Sequence, residues 1–263
     1  MKNPTENPVK STTNADGNYE LSETSARKSI LPESVAFSPA RLLAALLPNS
    51  CLLCGGAAGS ELLCAPCRAD LPPLPAHACP CCGERTTHGE RCGACLVQPP
   101  HFTGVSALYR YAFPADRLIQ ALKYQHRLAL AGWFGQSLAQ ACAKVDAQRI
   151  VPLPLHPVRL RERGFNQSME IARTLGNCLK IPVDRHILQR PRATPPQAGL
   201  PLKERRSNVR GAFECSGDLG GARILLVDDV LTSGATADEC ARVLRLHGAC
   251  EVHVAVVARA LRD

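Results

Sequence analysis

The chain has 263 residues, a formal net charge of +8 at pH 7, 45% hydrophobic content and only 4% aromatic content. That length accommodates a core domain of about 150 residues plus an accessory module. No run approaches roughly 18 consecutive apolar residues, and the N-terminus has no basic start leading into an apolar core. No membrane span and no secretory signal are therefore expected, and the chain reads as cytoplasmic.

Residues 1–38 are rich in Asn, Ser, Thr, Pro and Glu, the composition of a disordered tail. Residues 40–47, ARLLAALL, read as a short helix set against the next module. Nine of the fourteen cysteines then fall between Cys51 and Cys95. Cys51-x2-Cys54 is followed after nine intervening residues by Cys64-x2-Cys67, and Cys79-x2-Cys82 after nine by Cys92-x2-Cys95, an internal repeat with an offset of 28. Each Cys-x2-Cys can point two thiolates at one ion, and two such knuckles fill a tetrahedral shell suited to structural zinc. Two zinc ions are therefore expected in a module spanning 39–98. The knuckles can pair first with second or first with third, and spacing allows both. A filled four-thiolate shell leaves no open position for water, which excludes catalytic zinc. Disulfides are disfavoured in a reducing compartment. Cys81 does not fit the repeat and reads as a bystander.

The remaining domain, 99–263, is read as α/β. Residues 105–111 predict a strand and 115–124 a helix carrying Lys123, while Trp133 and Phe134 read as core. Residues 149–154 predict a second strand. Pro152, Pro154 and Pro157 then predict a loop, which carries Arg159, Arg161 and Arg163 ahead of a helical pattern through Ile171, Ala172 and Leu175. Residues 150–214 hold twelve Lys or Arg against five Asp or Glu, a net +7, so this quarter of the chain predicts an anionic ligand: pyrophosphate, a polynucleotide, or both. The Pro- and Arg-rich residues 194–213 have the composition of a lid.

Residues 223–228 are almost uninterruptedly apolar until the acidic pair Asp228 and Asp229, as in a strand buried on both faces of a parallel sheet. Ligands of open α/β sheets sit at that carboxyl edge. The turn Thr232-Ser233-Gly234-Ala235-Thr236 offers hydroxyls and a glycine that admits a close backbone approach, followed by an amphipathic helix and a strand at 252–257. Two carboxylates accept from a vicinal diol and the turn cradles a phosphate, so the segment reads as a ribose-phosphate pocket. The chain has no G-x-x-x-x-G-K-[ST] segment, which removes the P-loop nucleotidases.

The stretch VDDVLTSGAT resembles the phosphoribosyl pyrophosphate (PRPP) signature of type I phosphoribosyltransferases. The resemblance implies that fold, with a parallel sheet. It implies that Asp228 and Asp229 are the catalytic pair holding the ribose hydroxyls, and that Thr232, Ser233, Gly234, Ala235 and Thr236 hold the 5-phosphate. LPLHPVRLRERGFNQS, TPPQ, RRSNVRGAF and LLVDDVLTSGAT, in this order behind paired zinc knuckles, resemble the ComF family of competence-associated proteins over about residues 42–260. That family has a Leu-Lys-aromatic segment where Leu122-Lys123-Tyr124 stands, which places Lys123 either toward pyrophosphate with Arg159, Arg161 and Arg163 or on a solvated helix face.

The resemblance implies PRPP or a nucleotide as ligand, Mg2+ with it, and a role in uptake or use of DNA. Single-stranded DNA and competence-machinery proteins are the implied partners. Three activities follow as alternatives: transfer of phosphoribose from PRPP to a nitrogen acceptor, PRPP or nucleotide sensing without turnover, and adaptor binding of single-stranded DNA.

Overall fold

The computed structural model describes residues 49–194 and 207–262. The expected tail at 1–38, the apolar segment at 40–47 and the middle of the expected lid, 195–206, lie outside the described residues. Two short helices, α1 (Ala65–Ala69) and α2 (Gly93–Val97), belong to the cysteine-rich segment. Then come β1 (Gly104–Arg110), α3 (Ala115–Tyr124), α4 (Ala129–Ala141), β2 (Arg149–Pro152), α5 (Pro157–Arg163) and α6 (Gln167–Leu179). A short antiparallel pair, β3 (Leu188–Gln189) and β4 (Glu214–Cys215), precedes β5 (Arg223–Leu231), α7 (Ala235–Leu246) and β6 (Glu251–Arg259).

The main sheet is parallel, in the order β1-β6-β5-β2. Alternation along β5 divides the core in two. Ile224 and Leu226 face a cluster with Cys240, Ala241 and Leu244 of α7. Leu225 and Val227 face the opposite cluster, built by Leu118 and Leu122 of α3, Phe134 and Leu138 of α4, and Ile171 and Leu175 of α6. Leu63 and Leu71 of the cysteine-rich segment join that second cluster, so the accessory module and the α/β domain share a core.

Helix α3 has the bounds its periodicity predicts. Strand β5 runs three residues past the expected end at Asp228, because its pairing with β6 continues to Leu231 opposite Arg259. The acidic pair is thus inside the final hydrogen-bonded stretch of the strand. The expected loop after β2 contains a helix instead. Pro157 sits in the first turn of α5, where a missing N–H costs nothing, and His156 caps that turn by accepting from the Val158 N–H at 3.3 Å. Gly164, at φ 81°, ends it.

Helices α4 and α6 approach closely at Gly135, where an added Cβ would lie 2.6 Å from Thr174 Cβ and 2.8 Å from Ile171 O. Gly135→Ala is expected to cost about 1–3 kcal/mol through this overpacking, read as a lower urea midpoint at unchanged slope.

Candidate functional site

The cysteine repeat is also a repeat in three dimensions. Cys51 N–H donates to Gly56 O at 2.7 Å and Gly55 N–H to Cys51 O at 2.9 Å; 28 residues on, Cys79 N–H donates to Glu84 O at 2.7 Å and Gly83 N–H to Cys79 O at 2.9 Å. Gly55 (φ 75°) and Gly83 (φ 69°) supply the left-handed residue of each turn. Cys64 and Cys92 precede α1 and α2 at matching positions.

The pairing left open by the spacing is first with second and third with fourth. Cys51, Cys54, Cys64 and Cys67 gather their sulfurs within 4.8 Å of one another, and so do Cys79, Cys82, Cys92 and Cys95. The Cys54–Cys64 Sγ separation is 3.7 Å and the Cys82–Cys92 separation 3.6 Å. A tetrahedral shell with Zn–S bonds of about 2.3 Å has edges of about 3.8 Å, so both sets fit structural zinc. Cys81 is buried but outside both sets, and the exposed His77, His88 and His101 are outside them too.

Crowding splits the thiols. Burial works against the Cys51 thiolate, yet the N–H groups of Cys54, Cys64 and Leu53 bring it down to about 6, while the side chains of Cys64 and Cys54 push Cys67 up. In the second set Cys79 falls to about 7, its backbone donors overcoming burial, and burial pushes Cys82 up to about 11. Four thiolates are compatible in so small a volume only around a cation.

The acidic pair forms a second centre. Ser168, in the first turn of α6, donates its hydroxyl to Asp228 Oδ1 at 2.9 Å, and the Asp229 N–H donates to the same oxygen at 2.9 Å. Lys123, near the end of α3, places Nζ 2.7 Å from Asp229 Oδ2, with the two side chains 20% and 5% exposed. Burial first, then the Asp229 charge, raise Asp228 to about 7. Burial opposes the Lys123 ammonium, but Asp229 and then Asp228 outweigh it and raise its pKa. Lys123 is therefore not a solvated helix lysine; its ammonium is paired with the carboxylates.

After β5 the chain turns at Thr232, which is exposed, and Gly234 takes φ 79° as the N-cap of α7. Ser233 Oγ accepts from the Ala235 N–H at 3.3 Å. A twelve-residue helix entered through this turn has its positive dipole end there, a few residues after the carboxylates in the chain. Ala235 is buried, while Ser233 and Thr236 are half-buried.

The three arginines of α5 separate. Arg163 donates to Gln167 Oε1 at 2.6 Å and lies 5.6 Å from the centre of the Tyr124 ring. Arg161 is exposed and Arg159 half-buried. Arg159 and Asp228 both act electrostatically on Arg190, which no sequence motif marks. Arg190 donates to Thr194 Oγ1 at 2.6 Å, lies 5.2 Å from the centre of the Phe213 ring, and keeps its Nε buried without a hydrogen-bond partner among the described residues. Burial first, then Arg159, lower its pKa. Ser168 and Arg259 were missed as well. Ser168 closes the basic motif and could have been read with it, whereas nothing in the local pattern marks Arg190 or Arg259.

Among the described residues no helix is long and apolar enough to cross a membrane. Residues 42–96 match the double zinc ribbon domain family and residues 160–263 the phosphoribosyl transferase domain family. The chain is 33% identical over 213 residues to competence protein F of Haemophilus influenzae, covering 75% of this chain and 90% of that protein. It is 35% identical over 191 residues to the DNA utilization protein YhgH of Escherichia coli K12, covering 70% and 84% of the two chains. It is 27% identical over 194 residues to competence protein ComFC of Bacillus subtilis, covering 70% and 78%.

Proposed function

The chain belongs to the ComF family of competence-associated, phosphoribosyltransferase-like proteins with an N-terminal double zinc ribbon, and from that premise we propose that it binds PRPP with Mg2+. The observation that carries this reading is the acidic pair at the end of β5, poised between Ser168 and Lys123 and followed at once by the Gly234 turn into α7. Asp228 and Asp229 accept from the ribose hydroxyls. Residues 232–236 take the 5-phosphate through hydroxyls and helix-start N–H groups. Arg190, whose buried Nε has no hydrogen-bond partner among the described residues and which feels the Arg159 charge, joins Arg159 in holding the pyrophosphate. Mg2+ supplies charge neutralisation on that leaving group. The zinc ribbons, residues 39–98, are structural, and the ligand is held by residues 99–263.

The chemistry such a site supports is displacement of pyrophosphate from C1 of the ribose by a nitrogen nucleophile. The carboxylates favour positive charge developing on the ring. This activity, or PRPP sensing at the same site, would serve the use of imported DNA in the cytoplasm, a reading supported by the relatives named competence protein F and DNA utilization protein. The net +7 of residues 150–214 favours a second reading, in which the basic face grips single-stranded DNA.

Calorimetric titration of PRPP with Mg2+ into the zinc-loaded protein tests the first reading. The parent is expected to bind one equivalent. An Asp228→Asn, Asp229→Asn double variant is expected to bind about a hundredfold more weakly, from two hydrogen bonds to charged groups worth about 1.5 kcal/mol each. A folded parent that does not bind would overturn it, and salt-dependent binding of single-stranded DNA retained by the double variant would favour the second.

A further inference from the structure

Arg259 ends β6 with its side chain inside the protein, 4% exposed. Its guanidinium reaches in two directions. Nη1 donates to the backbone carbonyls of Leu231 at 3.1 Å and Thr232 at 2.6 Å, and also to that of Ala260. Nε donates to Cys82 O at 2.7 Å, and Nη2 reaches the Glu84 carboxylate at 3.2 Å. Glu84 also receives the Arg262 N–H at 3.3 Å, and its side chain is 13% exposed. One end of this cross-link is the entrance to the Thr232–Thr236 turn. The other is the turn that the second cysteine set folds, since Cys82 is one of its sulfur donors and Glu84 follows two residues later. A cavity lies along the seam, lined by Cys82, Cys92, Glu84, Ser233, Gly234 and Arg259.

A planar guanidinium with five donors can hold several carbonyls in one geometry, which an ammonium cannot. A charge this buried also needs its carboxylate, and the Cys79–Glu84 turn sets where the Glu84 backbone stands. We propose that Arg259 is the positioning residue of the phosphate turn, and that the second zinc ribbon is thereby a working part of the ligand site rather than a separate appendage. The turn adopts its binding shape because the Cys82–Glu84 segment, folded by its metal, anchors the arginine that holds the Leu231 and Thr232 carbonyls. This rests on the reading of residues 232–236 as a phosphate cradle for its consequence in binding, but the mechanical coupling stands apart from the ligand's identity.

Hydrogen exchange read by mass spectrometry on the full zinc-loaded chain tests the coupling directly, alongside PRPP titration. Arg259→Lys and, separately, Glu84→Gln are expected to raise exchange in residues 231–237 at least about tenfold, with zinc content unchanged and exchange in β2 unchanged. Cys92→Ser, which opens the second metal set without touching Arg259, is expected to raise exchange in the same residues. PRPP affinity is expected to fall about tenfold in each. Unchanged exchange at 231–237 in Arg259→Lys and Cys92→Ser would overturn the proposal, and so would a rise shared equally by β2, which would mean general loosening. If the parent does not bind PRPP while the exchange pattern appears as described, the ligand reading fails and the coupling stands.

Discussion

Asp228→Asn is expected to melt about 4–8 °C above the parent at pH 8, although it weakens the proposed ligand site. Burial and the neighbouring Asp229 raise the Asp228 carboxyl to about 7, against about 3.9 in an unfolded chain. The folded state therefore binds this proton more tightly than the unfolded one. The stability this contributes is complete below pH of about 4 and is lost as pH rises to about 7. At pH 8 the native chain holds two adjacent carboxylates against the single Lys123 ammonium. Asparagine keeps an Oδ1 acceptor for the Ser168 hydroxyl and the Asp229 N–H, and turns a donor toward the remaining carboxylate. The relief is on the order of 2 kcal/mol, and a domain of this size gains roughly 2–4 °C per kcal/mol. The difference is expected to vanish near pH 4. Calorimetric scans of both proteins at the two pH values check this; equal melting at pH 8, or a difference independent of pH, would contradict it. Such a result would mark the acidic pair as held for ligand binding at a cost in stability.

Loss of the first zinc set is expected to destabilise the whole chain, not the ribbon alone. Cys51→Ser should leave one zinc per chain by metal analysis, against two in the parent, and lower the unfolding free energy by about 3–6 kcal/mol. The size comes from two leucines. Leu63 is 1% and Leu71 6% exposed, and both pack in the core cluster that contains Leu118 and Phe134 of α3 and α4. Each is worth about 1.5–3 kcal/mol when buried, and both lose their places when the knuckles open. Cys81→Ala, by contrast, is expected to retain two zinc ions, because Cys81 is in neither donor set. Retention of both zinc ions by Cys51→Ser would show that another group replaces that sulfur. A melting curve that separates ribbon from domain would show that the shared core does not couple them.

Much of this protein was legible along the chain because its signals are local. The repeat at offset 28 holds each four-cysteine set within seventeen residues, and short-range turns at Gly55 and Gly83 leave few alternatives. The alternation in β5 and the apolar spacing of α7 likewise reflect the two regular backbone periods, and the turn at Gly234 follows from one residue's freedom at φ 79°. The helix at Pro157–Arg163 was hidden because proline reads as a breaker until its place in the first turn is known.

The sequence by itself determined the eight metal donors, the parallel α/β architecture and the position of the acidic pair before a glycine turn. Only the tertiary structure decided which knuckles share an ion, that Lys123 answers Asp229 across 106 positions, and that Arg259 ties the turn to the second ribbon across 175 positions to Glu84. The physical reason is the same in each case. A buried charge must find an opposite charge and enough donors or acceptors, and the side chain that meets this need is chosen by where the sheet and helices bring it, with no periodicity in the sequence to announce the partner.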